Sequence, residues 1–280
     1  MPPVALFHQL FRGLFQSVIG WTVGLLLTWV LLWLPLAVPI ARQVKWHPPL
    51  PITPQQKIPL LVSLYLLAPV IIWGATHWGT VSLMDCGLIW RWSLLVNGLI
   101  GLMIGTVGVL TLFWVEASVG WISWHWNHQV LTACLPILVL GLGVSATEEA
   151  MFRGLFQARF QQNYSLWIAG AIVSLIFAVL HLVWEGADNL PQLPGLWLMG
   201  MVLTLAKVVD YGHLGLAWGL HAGWIWSMAT LDTAQVIAYN NTTSPWILGF
   251  GNKPLAGLMG ILFLAITSAL LLAFRPIFLP

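Results

Sequence analysis

Hydrophobic residues run along this chain in blocks of about 20, the length at which an α-helix crosses the hydrocarbon core of a bilayer. Eight such blocks, each bounded by charge, Pro or Gly, predict membrane helices at about 16–41, 58–76, 92–115, 130–160, 166–184, 195–209, 214–231 and 254–274. The first carries no charge between Arg12 and Arg42. It is too long for a signal-peptide core and is expected to be retained. A basic, Pro-rich loop follows it, with Arg42, Lys45, Pro48, Pro49, Pro51, Pro54 and Lys57. The sixth block is short and flanked by Lys207 and Asp210, and the last is closed by Arg275 and Pro276. No internal repeat or low-complexity tract interrupts the pattern. The fold class expected is all-α: one polytopic membrane helix bundle over residues 1–280, with about eight transmembrane helices and no soluble module.

Composition narrows this further. Of the 280 residues, 59% are hydrophobic and 6% charged, where a soluble domain carries about 25% charged residues. Ten Lys and Arg with eight Asp and Glu cannot cover a water-exposed surface, and disorder would require low hydrophobicity with high net charge. A net charge of +2 gives no electrostatic footprint for nucleic acid, so no nucleic-acid partner is expected. Cys86 and Cys134 form neither a disulfide framework nor a metal-finger spacing and read as small packing residues. Most of the 19 Trp read as anchors at the membrane–water boundary. Orientation is weakly encoded. With both termini in the cytoplasm, Arg12, Arg91, Arg159, Lys207 and Arg275 lie inside, against Arg42, Lys45, Lys57 and Lys253 outside, a slight lean to N-in.

Three charges break the rule that charge falls between helices. Thr147-Glu148-Glu149-Ala150-Met151-Phe152-Arg153-Gly154 lies inside the fourth block, where each acidic residue costs roughly 2.5–3.5 kcal/mol on insertion scales. Residues four apart share a helix face, so Glu149 can pair with Arg153. Glu148 is turned about 100° away, on the face of Phe152, and is left available for chemistry. Phe177-Ala178-Val179-Leu180-His181 in the fifth block sets a ring against an imidazole, and Gly219-Leu220-His221-Ala222-Gly223 in the seventh surrounds a His with small residues that allow close helix approach. A carboxylate can act as general base, while imidazoles can donate to an oxyanion or ligate a metal. Taken singly, each His also fits an interhelical hydrogen bond, and the Glu–Glu–Arg cluster also fits a buried structural network or a proton relay.

Glu-Glu-x-x-x-Arg, then Phe-x-x-x-His, then a His on a later helix resemble the CPBP family. These are the type II CAAX prenyl proteases and their bacteriocin-processing relatives, also called the ABI family. The resemblance covers about 139–228, and the family-like catalytic core is expected at about 130–231. It implies that Glu148 is the catalytic acid that activates water, that Glu149 and Arg153 support it, and that His181 and His221 help bind water and stabilise the tetrahedral oxyanion. There is one departure. The family's third motif is commonly His-x-x-x-Asn or Asp, whereas Ile225 stands four residues after His221, and the nearest polar residue in sequence is Ser227.

The function expected is an intramembrane endopeptidase acting on a membrane-bound peptide or lipidated protein within the lipid bilayer. No cofactor is firmly implied. One Glu and two His would leave an open zinc position of the catalytic type, but no His-Glu-x-x-His stands on any helix, which favours a glutamate-type mechanism. Two other classes remain. A catalytically inactive family member acting as a membrane scaffold is favoured by Ile225. A proton-coupled transporter would use Glu148 and Glu149 but should show repeated halves or broken helices. The location expected is integral and multi-pass, in a bacterial inner membrane or, in a eukaryote, a plastid membrane. Glu185 reads as a helix-end charge rather than a partner of His181. His125 and His128 read as interfacial, and the Asn-x-Thr sequons at Asn240 and Asn241 as incidental.

Overall fold

The computed structural model describes residues 17–47, 50, 52–240, 243–275 and 278. Arg12, Gln16, Pro48, Pro49, Pro51, Asn241 and Pro276 lie outside the described residues. Each predicted block corresponds to helix: α1 (Val18–Gln43), α2 (Pro54–Tyr65) and α3 (Ala68–Trp78), α4 (Trp92–Ser118), α5 (Gln129–Glu149) continuing to α6 (Gln157–Gln161), α7 (Leu166–Leu180), α8 (Leu193–Val209), α9 (Gly215–Thr233) and α10 (Leu258–Ala273). Among the described residues, five stretches are long and apolar enough to cross a membrane: Val18–Gln43, Pro54–Trp78, Trp92–Ser118, Gln129–Gln161 and Leu166–Val209. The last divides into α7 and α8, and α10 is a shorter apolar helix. The protein is an integral membrane helix bundle.

α9 is outside that set for a physical reason. Nine of its first ten residues, Trp218 excepted, are buried, so protein rather than lipid surrounds it, and it tolerates Gly, His and Trp. The lipid-facing sides are the reverse. On α4, Leu99, Met103, Val107, Leu110 and Trp114 form an exposed apolar stripe, while Gly98, Gly101, Gly105, Val109 and Leu112 on the opposite face are buried.

That buried face of α4 meets α9 backbone to backbone. A Cβ on Gly219 would lie 1.8 Å from the Gly98 carbonyl oxygen, and one on Gly101 would lie 2.5 Å from the Leu216 oxygen. With Gly215, Gly219 and Gly223 at four-residue spacing, α9 presents the small-residue groove that lets membrane helices approach closely. Gly219→Ala should therefore force the helices apart and destabilise the bundle by about 1–3 kcal/mol or more. A thermal melt in detergent checks this: an unchanged midpoint would refute the close contact.

The second span is broken in its middle. Pro69 lacks an N–H, and its ring clashes with the carbonyl four residues earlier, that of Tyr65. α2 accordingly ends at Tyr65, and after Leu66 and Leu67 the chain restarts as α3 with Pro69 in its first turn. The loops also hold a feature the hydrophobic pattern did not predict, a short antiparallel pair in which Ile122 faces Tyr239 and Trp124 faces Ile237. It ties the α4–α5 connection to the segment after α9. His125 and His128 are exposed beside it.

Candidate active site

The helix that begins as α5 does not keep an α-helical pitch through the acidic motif. Ala150–Phe156 is wound as a π-helix, which opens the turn directly after Glu148 and Glu149. Such insertions are frequent at functional sites. The expected i,i+4 pair forms: Arg153 Nη1 donates to Glu149 Oε1 at 3.1 Å, with both side chains fully buried. The guanidinium lies over the Phe177 ring, 4.5 Å from its centroid. Gly200 makes room for it, since a Cβ there would come 3.0 Å from Arg153 Nη2.

His221 stands between the two glutamates. Its Nδ1 donates to Glu149 Oε1 at 2.8 Å, and its Nε2 lies 3.6 Å from Glu148 Oε2. Glu148 Oε1 accepts a hydrogen bond from the Tyr65 hydroxyl. Glu148 is 9% exposed and Glu149 0%, so the carboxylates are held by protein groups. Glu148, Glu149, Arg153 and His221 thus form one connected cluster.

Among the described residues, His181 joins this cluster through Phe177. It caps the C-terminus of α7, and its Nδ1 donates to the Phe177 carbonyl at 2.8 Å. Its ring sits edge-on to Phe177, 4.5 Å between centroids, and Phe177 in turn meets His221 at 6.1 Å. Among the described residues, His181 makes no hydrogen bond to Glu148, Glu149 or His221. Its Nδ1 bond fixes the ring so that Nε2 is the nitrogen left for another partner. Glu185 does not pair with His181. It binds Lys57 at 3.3 Å and Lys253 at 3.6 Å.

Ser227, the polar group suggested in place of a partner at Ile225, does not serve that role. Ser227 donates its hydroxyl to the Gly223 carbonyl of its own helix at 2.6 Å. Ile225 packs against α5, its Cγ2 3.3 Å from where a Cβ on Gly141 would stand. The polar partner of His221 comes from α5 instead, as Glu149.

Sequence reasoning did not reveal that several charges are buried. Lys207, read as a flank of the sixth block, is 6% exposed, and its Nζ donates to the Arg153 carbonyl at 2.7 Å, bracing the π-wound segment. Glu116, beyond the predicted end of the third block, is buried inside α4. Tyr65 was not singled out at all. Its signal was the Pro four residues later, which ends a helix on a Tyr inside an apolar span.

Asp210, the other flank, is buried just beyond α8 and accepts from Asn97 and, at 2.8 Å, from the Leu216 backbone N–H. It thereby caps the helix that carries His221. Burial pushes its carboxyl up from 3.8 to about 7, against the lowering effect of those hydrogen bonds. A carboxyl raised in the folded state contributes stability that is fully present below pH 3.8 and lost as pH rises through about 7. In melts from about pH 4 to about pH 8, the wild-type midpoint should therefore fall relative to Asp210→Asn as pH rises. Parallel curves would refute the assignment.

A cavity of about 420 Å³ lies elsewhere, lined by Asp85, Gln157, Gln161, Lys207 and His213 among others. Among the described residues, no group of three or more His, Cys, Asp or Glu could hold a metal ion.

No curated protein and no solved structure matches the chain. Residues 129–227 match the family described as Type II CAAX prenyl endopeptidase Rce1-like. The matched region begins with α5, holds Glu148, Glu149, Arg153 and His181, and ends just past His221. Over residues 129–227 the chain is thus similar to the Rce1-like domain of the type II CAAX prenyl endopeptidases, in line with the CPBP family that its motifs resemble.

Proposed function

We propose that this protein is an intramembrane endopeptidase that hydrolyses a peptide bond of a membrane-bound peptide or lipidated protein, using water activated by Glu148. The observation that carries the reading is His221 set between two buried carboxylates, with Nδ1 on Glu149 and Nε2 turned toward Glu148. Glu148 takes a proton from a water on its Oε2 side, and the hydroxide attacks the scissile carbonyl carbon. Ring N–H groups of His221 and His181 donate to the oxyanion that forms. A His221 ring donating from both nitrogens is cationic, and the Glu149 carboxylate faces that charge. When the C–N bond breaks, Glu148 returns its proton to the leaving amine. Arg153 holds Glu149 in place through its Nη1.

The substrate class is tested with purified protein in liposomes, offered membrane peptides with and without a prenylated C-terminal cysteine. Cleavage detected by mass spectrometry and lost in Glu148→Gln supports the reading. A preference for the prenylated peptide assigns CAAX-type specificity. Failure to cleave either peptide, together with a cellular phenotype indifferent to Glu148, His181 and His221, would favour the scaffold reading that Ile225 suggests. In a bacterium the expected site of action is the inner membrane, and in a eukaryote a plastid membrane.

A further inference from the structure

We propose that Tyr65 is a positioning residue for Glu148, delivered to it by the proline break in the second span. This rests on the assignment of Glu148 as the base. A carboxylate on a membrane helix can rotate about its side-chain bonds, and only some rotamers turn an oxygen toward His221. The Tyr65 hydroxyl donates to Glu148 Oε1, which leaves Oε2 as the oxygen facing His221 Nε2 at 3.6 Å. The phenol therefore selects which oxygen meets the water.

The position of Tyr65 is itself held from two directions. Pro69 denies the Tyr65 carbonyl its helical partner, so α2 stops at this residue. From α1, the Trp29 indole N–H donates to the Leu64 carbonyl at 2.9 Å, and its ring meets the Tyr65 ring at 6.3 Å between centroids. Tyr65 and Glu148 come from chain segments 83 residues apart, and Tyr65 lies outside the residues that match the family. It reaches the matched domain from the second span.

The test uses the full-length protein in liposomes with one cleavable membrane peptide. Tyr65→Phe keeps the ring against Trp29 and removes only the hydroxyl. Loss of one hydrogen bond to a charged group should lower kcat about 10- to 100-fold, with KM unchanged. A purely structural role would move the melting midpoint and leave kcat unchanged, and a substrate-binding role would move KM. Pro69→Ala, which lets the helix run on through Tyr65, should produce the same kcat loss if the Phe variant fails to fold. Wild-type kcat in both variants, or a loss confined to KM, overturns the proposal while Glu148→Gln remains inactive. If Glu148→Gln itself keeps wild-type turnover, it is the assignment of the base that fails.

Discussion

Glu148→Gln lowers the turnover of a membrane peptide by about 10²–10⁴-fold, the contribution of a well-placed general base. The substitution keeps the volume of the side chain and leaves its carbonyl oxygen able to accept from Tyr65. The structure should therefore survive with an unchanged melting midpoint. What disappears is the group that takes a proton from water. The neighbouring carboxylate, Glu149, is fully buried, with its Oε1 held by Arg153 Nη1 and His221 Nδ1. Kinetics on wild type and variant in the same liposomes measure this directly.

Arg153→Met has the opposite signature. It removes the cation from a fully buried pair and leaves Glu149 as an uncompensated charge beside His221, which costs about 3–5 kcal/mol. The variant should melt far below wild type or fail to accumulate in the membrane. Pairing it with Glu149→Gln removes both charges, and replacing a buried ion pair outright is often nearly neutral. The double variant should regain most of the stability. It should stay inactive, because His221 would then lack the carboxylate at its Nδ1. Recovery of stability without activity separates the structural part of the pair from its catalytic part. A double variant as unstable as Arg153→Met would contradict this account of the pair.

The membrane bundle was legible in the hydrophobic blocks because lipid demands long apolar helices with their backbone satisfied internally. The Glu149–Arg153 pair was legible because it depends only on helical spacing. Other features needed the third dimension. The π winding of Ala150–Phe156 has no periodicity signal of its own. Lys207 looked like a helix end because sequence cannot reveal that the Arg153 carbonyl waits for it across the bundle. Ile225 suggested a missing partner for His221, since spacing shows only partners on the same helix, whereas Glu149 arrives from another. Tyr65 was hidden for the same reason: its role arises from the meeting of the second and fourth spans.

The central claim is that Glu148 activates the water that cleaves a peptide bond, and isotope incorporation tests it most directly. Wild-type protein and Glu148→Gln are incubated in liposomes with a membrane peptide in ¹⁸O-labelled water, and the products are weighed by mass spectrometry. The account predicts that the wild type releases a fragment whose new C-terminal carboxylate carries one ¹⁸O from water, and that Glu148→Gln releases essentially none of that fragment. Labelled product formed by Glu148→Gln at the wild-type rate would contradict it.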